Sequence, residues 1–446
     1  MGISHILNKF GLKSGNITDE NYELSRRRFI QEGCLANAIY TLTSGAFFVG
    51  YANYLGANDQ FNGIILALPL VTNIIQMFSP LLLERLKSRK KLIVALCMFY
   101  RTLLGLMILI PFVTESKTGR LFMLASMYFL AYCASSFLNP AAGSWIVSLV
   151  PERIRGRYFG VRDMCILGSA AVLSLVMGRI LDTFKSNHQD YLGFVIIFSV
   201  VLVLMVFNFL TLRKIKEPEV VQLNQSLNIR SLITIPLKNK QFRKVVILNI
   251  VWNLSAQFSL PFFSVYMVTG LKLSYTFIMI MGIILSCVQA YSAKIWGKIS
   301  ERKSWEFTTV ASITVIGLVH TIWVFVNQNT YFILIPFIQV LAGIGWAGVN
   351  LSLFNIQFKY APQEGRTVFI GFNAALAGTA GFLSASLGAV IVGVLNGIQL
   401  DIKVTVLDNM LIVFGISGLM ILCCAAFFSY WFREKKQPAD DGKPLN

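Results

Sequence analysis

The chain has 446 residues, of which 55% are hydrophobic and only 13% are charged, and its mean hydropathy is +0.65. These values exclude an ordinary soluble protein, which carries about a quarter charged residues, and they indicate an integral membrane protein. The net charge of +18 raises the question of nucleic acid, but the basic residues lie in short loops between apolar runs. There they set membrane topology, so we expect a lipid bilayer and no nucleic acid as partner.

The first 28 residues are polar, with no short apolar core before a cleavage site, so we interpret 1–28 as a cytoplasmic tail. After it, twelve apolar runs are long enough, at about 20 residues, to cross a bilayer as helices. They cover 29–54, 61–83, 92–113, 121–147, 159–181, 191–212, 244–268, 274–296, 307–326, 330–356, 368–395 and 408–432. Pro140 and Pro261 are expected to break the fourth and the seventh of these spans.

The basic residues divide unequally between the two sides of the membrane if both chain ends are inside. Six of the 39 Lys and Arg residues then lie in outer loops or at the outer ends of spans, Arg101 lies near the middle of a span, and 32 lie on the inner side. Cytoplasmic loops carry this excess, so we predict that both ends are cytoplasmic. The compact loops favour a plasma membrane, specifically a bacterial inner membrane.

The longest polar stretch between spans, 213–243, has six spans on either side. We therefore predict an N-terminal six-helix bundle at 29–212, a cytoplasmic linker at 213–243, a C-terminal six-helix bundle at 244–432 and a cytoplasmic tail at 433–446. The protein is expected to be a monomer.

The sequence lacks the usual signs of catalytic or metal chemistry. All seven cysteines lie in apolar runs without metal-ligand spacing, so we predict no metal site and no disulfide. The stretch Ala377–Gly381 has no following Lys-Ser or Lys-Thr, so ATP use is not expected. With three histidines and no clustered carboxylates, we predict neither an enzyme nor a cofactor. The loops are too short to hold the signalling domain of a sensor.

The two halves of the chain repeat each other. The stretch "LVPERIRGRYFGVRD" at 149–163 is matched by "YAPQEGRTVFIGFNA" at 360–374, and Arg155 falls opposite Arg366 at an offset of 211 residues. In a second pair of loops, at 82–91 and 296–305, Glu84-Arg85 matches Glu301-Arg302 at an offset of 217 residues. Asn37 and Asn253 are related by 216 residues. Three similar offsets indicate two homologous six-helix halves.

The loops at 82–91 and 296–305 resemble the signature Gly-x-x-x-Asp-Arg-x-Gly-Arg-Lys of the major facilitator superfamily. "VPERIRGRYFG" resembles the loop between helices four and five in bacterial members. The resemblance covers roughly 29–432, although Pro80 stands in place of the first glycine and Glu84 in place of the aspartate. It implies an all-α membrane fold of twelve helices in two pseudo-symmetric bundles, and no particular subfamily.

In that family the acid of the loop after helix two bonds a neighbouring helix end and latches the two halves on the cytoplasmic side. The resemblance therefore implies gating roles at both copies of the loop and at the start of helix five. The residues concerned are Glu84, Arg85, Arg162, Asp163, Glu301 and Arg302. The alternative is that they are solvated topology charges, each contributing under about 1 kcal/mol.

Three ionisable residues within predicted spans are candidates for function. Arg101 is near the middle of 92–113, where an arginine costs at least about 2.5–3.5 kcal/mol and needs a partner or water. It either binds an anionic substrate or a proton-coupling partner in a cavity, or pairs within its own half with Glu32 or Asp163. Glu32 is a candidate proton carrier or a partner of Arg26–Arg28. His320 is a candidate proton carrier or a hydrogen-bonded structural residue.

The family resemblance implies that helices one, four, seven and ten line a central cavity. Their polar and aromatic residues are candidate substrate contacts. They are Asn37, Tyr40, Asn139, Trp145, Asn249, Trp252, Asn253, Gln257, Trp346 and Asn350. Asn249, Asn253 and Gln257 recur every four residues and share one helix face, which should meet either the cavity or another helix.

The leading functional hypothesis is a secondary active transporter that moves a small organic molecule by rocking two bundles about a midplane site. Proton-coupled efflux, including multidrug efflux, uptake symport and facilitated exchange all remain open. The charge of Arg101 favours an anionic or zwitterionic substrate. The alternative from another class is a lipid or lysolipid flippase of the same fold.

Overall fold

The computed structural model describes residues 20–83, 86, 88–217, 229–362, 366–398, 400–401 and 406–433. The helices are α1 (Glu20–Leu42), α2 (Gly45–Tyr54), α3 (Asp59–Leu83), α4 (Lys90–Leu106), α5 (Ile110–Val113), α6 (Lys117–Leu149), α7 (Glu152–Ser186), α8 (Asp190–Arg213), α9 (Ile229–Lys238), α10 (Lys240–Ala256), α11 (Leu260–Val265), α12 (Tyr275–Arg302), α13 (Trp305–Ile322), α14 (Tyr331–Tyr360), α15 (Arg366–Val394) and α16 (Asn409–Arg433). A two-residue antiparallel pair, β1 (Leu400–Asp401) and β2 (Val406–Leu407), lies between α15 and α16.

Within the described ranges, eleven segments are apolar and long enough to cross a membrane, and the bent pair α1–α2 brings the number to twelve. They coincide with the twelve predicted spans. Several helices run beyond the predicted apolar runs, since a helix satisfies its own backbone groups and can continue into water.

The structure differs most clearly from the prediction between the fourth and fifth spans, where the apolar runs predict a loop at 147–159. Only Val150 and Pro151 separate α6 from α7. Pro151 ends α6 because the residue before a proline is restricted to extended backbone, and Val150 has φ −112° and ψ 111°. The basic stretch after Pro151 therefore forms the first turns of α7.

The first span of each half is broken near its middle. The bend between α1 and α2 is 41°, and Gly45 has φ +53°, a conformation that favours glycine. In the other half α10 ends at Ala256 and α11 begins at Leu260, with Pro261 in its first turn. The break predicted at Pro261 is therefore present. The break predicted at Pro140 is wrong, because α6 continues through that residue.

Two long helix pairs join the halves and differ in extent, and shorter contacts link α11 to α2 and α3. The helices α3 and α15 pack along their whole length, from Met77 beside Gly371 to Gln60 beside Gly393. The helices α7 and α12 meet at one end only, where Gly178 lies against the backbone of Tyr275 and Thr276.

The buried core shows the same asymmetry. At the end of the molecule that includes α2 and α11, one hydrophobic cluster contains residues of both halves, including Phe47, Phe262 and Tyr275. At the opposite end each half has its own cluster, and among the described buried residues only Met77 lies in the cluster of the other half. We call the first the closed end and the second the open end.

Candidate transport cavity

Polar side chains line the gap between the halves at and above the open end. On α6, Asn139 is exposed, as are Gly143, Ser144 and Ser148 further toward the open end. No atom lies within 4 Å of the position that a Cβ on Gly143 would occupy. Ser144 and Ser148 donate to backbone oxygens of their own helix, but the Asn139 amide would lose its hydrogen bonds to water if it faced hydrocarbon, so we assign this face of α6 to the gap.

Residues of three other spans are further candidates for the lining of this gap. Tyr40, in the last turn of α1 before the break, is 56% exposed, and Asn350 on α14 is exposed. Trp346, one turn before Asn350, is half-buried and meets buried Trp252 edge to face, with ring centroids 5.9 Å apart. This arrangement presents an amide beside an aromatic surface.

The three amides of α10 do not all have the same surroundings. Asn249 is buried and donates to the backbone oxygen of Val245 at 2.9 Å. Asn253 and Gln257 are half-buried, and a Cβ on Gly381 of α15 would lie 3.4 Å from Asn253 Oδ1 and 3.0 Å from Gln257 Cγ. The stripe therefore meets another helix, one of its two predicted neighbours.

Two candidates of the N-terminal half are less accessible. Asn37 on α1 is half-buried, and its backbone oxygen accepts from Thr41 Oγ1 at 2.8 Å. Trp145 on α6 points away from the gap. Its Nε1 donates to the backbone oxygen of Lys216 at 3.1 Å, and its ring meets that of Phe29.

Arg101 lies in a buried polar cluster inside the N-terminal half. Its Nη2 is 3.2 Å from Glu32 Oε1 on α1, and its Nη1 donates to Asn208 Oδ1 on α8. The Asn208 amide donates in turn to the backbone oxygen of Glu32 at 3.2 Å. Only 3% of Arg101 and 1% of Asn208 are exposed. The structure thus shows the Arg101–Glu32 pair that the sequence left as one alternative, and adds Asn208, which the sequence analysis missed.

This cluster predicts an unequal response to single and double substitution. Arg101→Met is expected to destabilise the protein by about 3–5 kcal/mol, because it leaves the Glu32 carboxylate buried without its partner. Arg101→Met with Glu32→Gln should recover much of this loss. Thermal unfolding in detergent would measure both, and equal destabilisation by the single and double variants would contradict the pairing.

His320 lies inside the C-terminal half and does not reach the cavity. Its Nδ1 is 3.0 Å from both Ser259 Oγ and Ser417 Oγ. The ring of Phe263 packs against it edge to face at 4.9 Å, and 1% of the residue is exposed. This environment is that of the hydrogen-bonded structural histidine, the second of the two predicted alternatives.

The predicted gating residues are only partly brought together. Glu84 and Arg85 lie outside the described residues. Arg162 and Asp163 are adjacent on α7, with 3.5 Å between Nη1 and Oδ1. Glu301 and Arg302 are exposed at the end of α12.

A polar contact between the halves at the closed end was missed by the sequence analysis. Asp182, near the end of α7, accepts hydrogen bonds from the first turn of α12 in the other half. Its Oδ1 accepts from the Tyr275 amide at 2.7 Å, and its Oδ2 accepts from the Thr276 amide at 2.8 Å and from Thr276 Oγ1 at 2.6 Å. A carboxylate is favoured at a helix N-terminus, where backbone donors lack partners.

Aromatic side chains add further contacts between the halves at the closed end. The ring of Phe47 on α2 stacks on that of Tyr275, with centroids 5.9 Å apart. A Cβ on Gly50 would overlap the Tyr275 hydroxyl, and one on Gly63 would overlap the ring of Phe262. The sequence offered one signal for this contact. An aspartate lies at the end of the fifth span, and the polar stretch "LKLSYT" at 271–276 leads into the eighth span.

Comparisons with known proteins agree with this geometry. A family model described as "Major Facilitator Superfamily" matches residues 33–389. No curated protein matches the chain by sequence.

Several solved structures share the fold. A point mutant of the nucleoside transporter NupG has a TM-score of 0.65 at 12% identity, covering 93% of this chain and 99% of its own. A bacterial homologue of the iron transporter ferroportin, in an inward-facing state, has a TM-score of 0.65 at 13% identity and covers 94% of this chain and 99% of its own. A D-xylose–proton symporter has a TM-score of 0.62 at 13% identity and covers 96% of this chain and 99% of its own.

The family match, the twelve spans and the shared fold confirm the predicted all-α membrane architecture. The same findings indicate a membrane transporter for a small molecule. This chain belongs to the Major Facilitator Superfamily.

Proposed function

We propose that the protein transports an uncharged polar solute with a ring or other apolar face by alternating access. The observation that carries this proposal is the neutral lining of the cavity. Tyr40, Asn139, Asn350 and the half-buried amides of α10 offer hydrogen bonds, and Trp346 offers an aromatic surface. Such a mixture suits a solute that has both hydroxyl or amide groups and a flat or apolar face.

The deeply placed ionisable side chains are engaged elsewhere. Arg101 and Glu32 neutralise each other within the N-terminal half, and His320 is held by two serines within the C-terminal half. The preference for an anionic or zwitterionic substrate rested on Arg101, so this pairing removes its basis. The names of two structural neighbours, a nucleoside transporter and a D-xylose–proton symporter, fall in the class of neutral polar solutes.

The open end is proposed to face the cytoplasm. It is the end at which the basic first turns of α7 lie, and positive charge accumulates on the cytoplasmic side of membrane proteins. The structure would then be inward-open, as is the ferroportin homologue named above. The same charge asymmetry supports both chain ends being inside, and the compact loops support a plasma membrane.

The test is uptake of labelled solutes into proteoliposomes that also contain a pH dye. We expect nucleosides or pentoses to be transported and carboxylic acids to be poor competitors. Transport confined to organic anions would overturn the proposal, and movement of fluorescent lipid alone would favour the flippase alternative. A change in lumenal pH that follows solute uptake would add proton coupling, with Glu32 as the carboxylate to substitute first.

A matched pair of asparagines on α14 tests the cavity itself. Asn350→Ala is expected to lower kcat/KM about tenfold, because it removes one hydrogen bond to the solute, worth about 1–1.5 kcal/mol. Asn355→Ala is the control, since Asn355 Nδ2 donates to the backbone oxygen of Leu351 at 2.7 Å in its own helix. Equal effects of the two substitutions would argue against a cavity role for Asn350.

A further inference from the structure

In the described part of the open end, α7 and α12 do not touch. The packed α3–α15 pair, which the repeat relates to them, shows how they could meet there. By the repeat, α15 corresponds to α7 at the offset of 211 residues, and α12 corresponds to α3 at the offset of 217 residues. The α3–α15 pair is packed along its whole length, whereas the α7–α12 pair is packed only at the closed end. The repeat therefore predicts how α7 and α12 meet when the open end closes.

The packed pair fixes the register. A Cβ on Gly371 would lie 3.5 Å from Met77 Cα, near the open end of the α3–α15 interface. The two offsets convert Gly371 into Gly160 on α7 and Met77 into Lys294 on α12. Gly160 should therefore lie against the backbone at Lys294 in the closed arrangement.

The existing α7–α12 contact gives the same register independently. Gly178 lies 3.2 Å, measured from its ideal Cβ position, from the backbone nitrogen of Thr276. The two helices run antiparallel. Eighteen residues from Gly178 toward the open end of α7 is Gly160, and eighteen residues from Thr276 toward the open end of α12 is Lys294. The repeat and the geometry of the two helices therefore give the same pair of positions.

The side chains at these positions are complementary and are now apart. Asp163, one turn beyond Gly160, has 63% of its side chain exposed, and its ion-pair partner among the described residues is its neighbour Arg162. Lys294 is exposed and forms no ion pair within the described part of the chain. No atom lies within 4 Å of a Cβ placed on Gly160 or on Gly297. The absence of side chains at both glycines leaves room for the helices to approach closely.

We propose that closure of the open end brings α7 and α12 together with Gly160 against Lys294, and that Asp163 and Lys294 then form an ion pair between the halves. This inference rests on the proposed alternating-access function. The partner of Asp163 in this proposal lies on α12, whereas the family resemblance implied a partner in the loop after the second span. The ion pair exists only in the outward-open form, so it stabilises that form relative to the structure described.

Cross-linking tests the register directly. In a background with the seven native cysteines replaced by serine or alanine, Asp163→Cys with Lys294→Cys is expected to cross-link through a short bifunctional maleimide and to stop transport. Asp163→Cys with Lys298→Cys, one turn further along α12, is the control and should cross-link several-fold less. Equal cross-linking of both pairs would overturn the proposed register.

A separate readout follows the outward-open form. Phe47→Cys, which is buried at the closed end, should react with an impermeant maleimide only when that end opens. Labelling at Phe47→Cys without an Asp163–Lys294 cross-link would overturn the register and leave alternating access intact. If neither the cross-link nor the labelling occurs in the membrane, both the register and the proposed alternating-access function are overturned.

Charge exchange tests the ion pair. Asp163→Lys or Lys294→Asp alone is expected to lower the labelling of Phe47→Cys about tenfold, because each places like charges opposite one another. The double exchange should restore it to within about twofold. Failure of the double exchange to restore labelling, with the protein correctly folded by size-exclusion chromatography, would contradict the pairing.

Discussion

Gly378→Ala is expected to lower the yield and the thermal stability of the folded protein, because Gly378 lies where α15 comes closest to α3. A Cβ at this position would overlap the backbone oxygen of Leu70 and would lie 3.1 Å from Asn73 Cβ. A backbone oxygen within a helix cannot move aside as a flexible side chain can. Overpacking of this kind costs about 1–3 kcal/mol, and a larger residue than alanine should prevent the halves from joining.

The control for this prediction lies two turns away on the same helix. Gly371→Ala adds the same methyl group, but its Cβ would meet Met77 Cα at 3.5 Å, which is ordinary van der Waals contact. We expect unchanged thermal stability for this variant, measured by fluorescence in detergent alongside Gly378→Ala. Similar melting of both variants would show that the α3–α15 interface is looser than described.

Asp182→Ala is expected to open the closed end. It removes three hydrogen bonds between a carboxylate and the first turn of α12, and bonds of this charge-assisted type contribute about 1.5–3 kcal/mol each. Loss of even one such contribution shifts a two-state equilibrium about tenfold or more toward the outward-open form. Distances between spin labels on α2 and α12 would report this shift.

Thr183→Ala is the matched control for Asp182→Ala. Thr183 is the next residue on α7, is exposed, and donates to the backbone oxygen of Arg179 at 2.9 Å within its own helix. It should leave the spin-label distances unchanged. If Asp182→Ala also leaves them unchanged, the closed end is held by the aromatic contacts of Phe47 and Tyr275 and not by the carboxylate.

The site was predictable to the extent that it depends on residues within single helices. The spacing of Asn249, Asn253 and Gln257 defined a polar face, and the intramembrane position of Arg101 required a partner. The choice between a substrate and Glu32 as that partner depends on how α1, α4 and α8 pack. Asn208 could not be selected from the sequence, because a single amide in an apolar run carries no signal of what it faces.

The sequence by itself determined the twelve spans, the all-α membrane class and the internal repeat. These follow from local properties, since each span must bury about 20 apolar residues and satisfy its own backbone, whatever its neighbours are. Only the tertiary structure decided that one end is closed and the other open. That difference depends on contacts between Asp182 and α12, and between Gly378 and α3, which join residues far apart in the chain. Alternating access requires such contacts to be broken and remade, so a single sequence must be compatible with both arrangements.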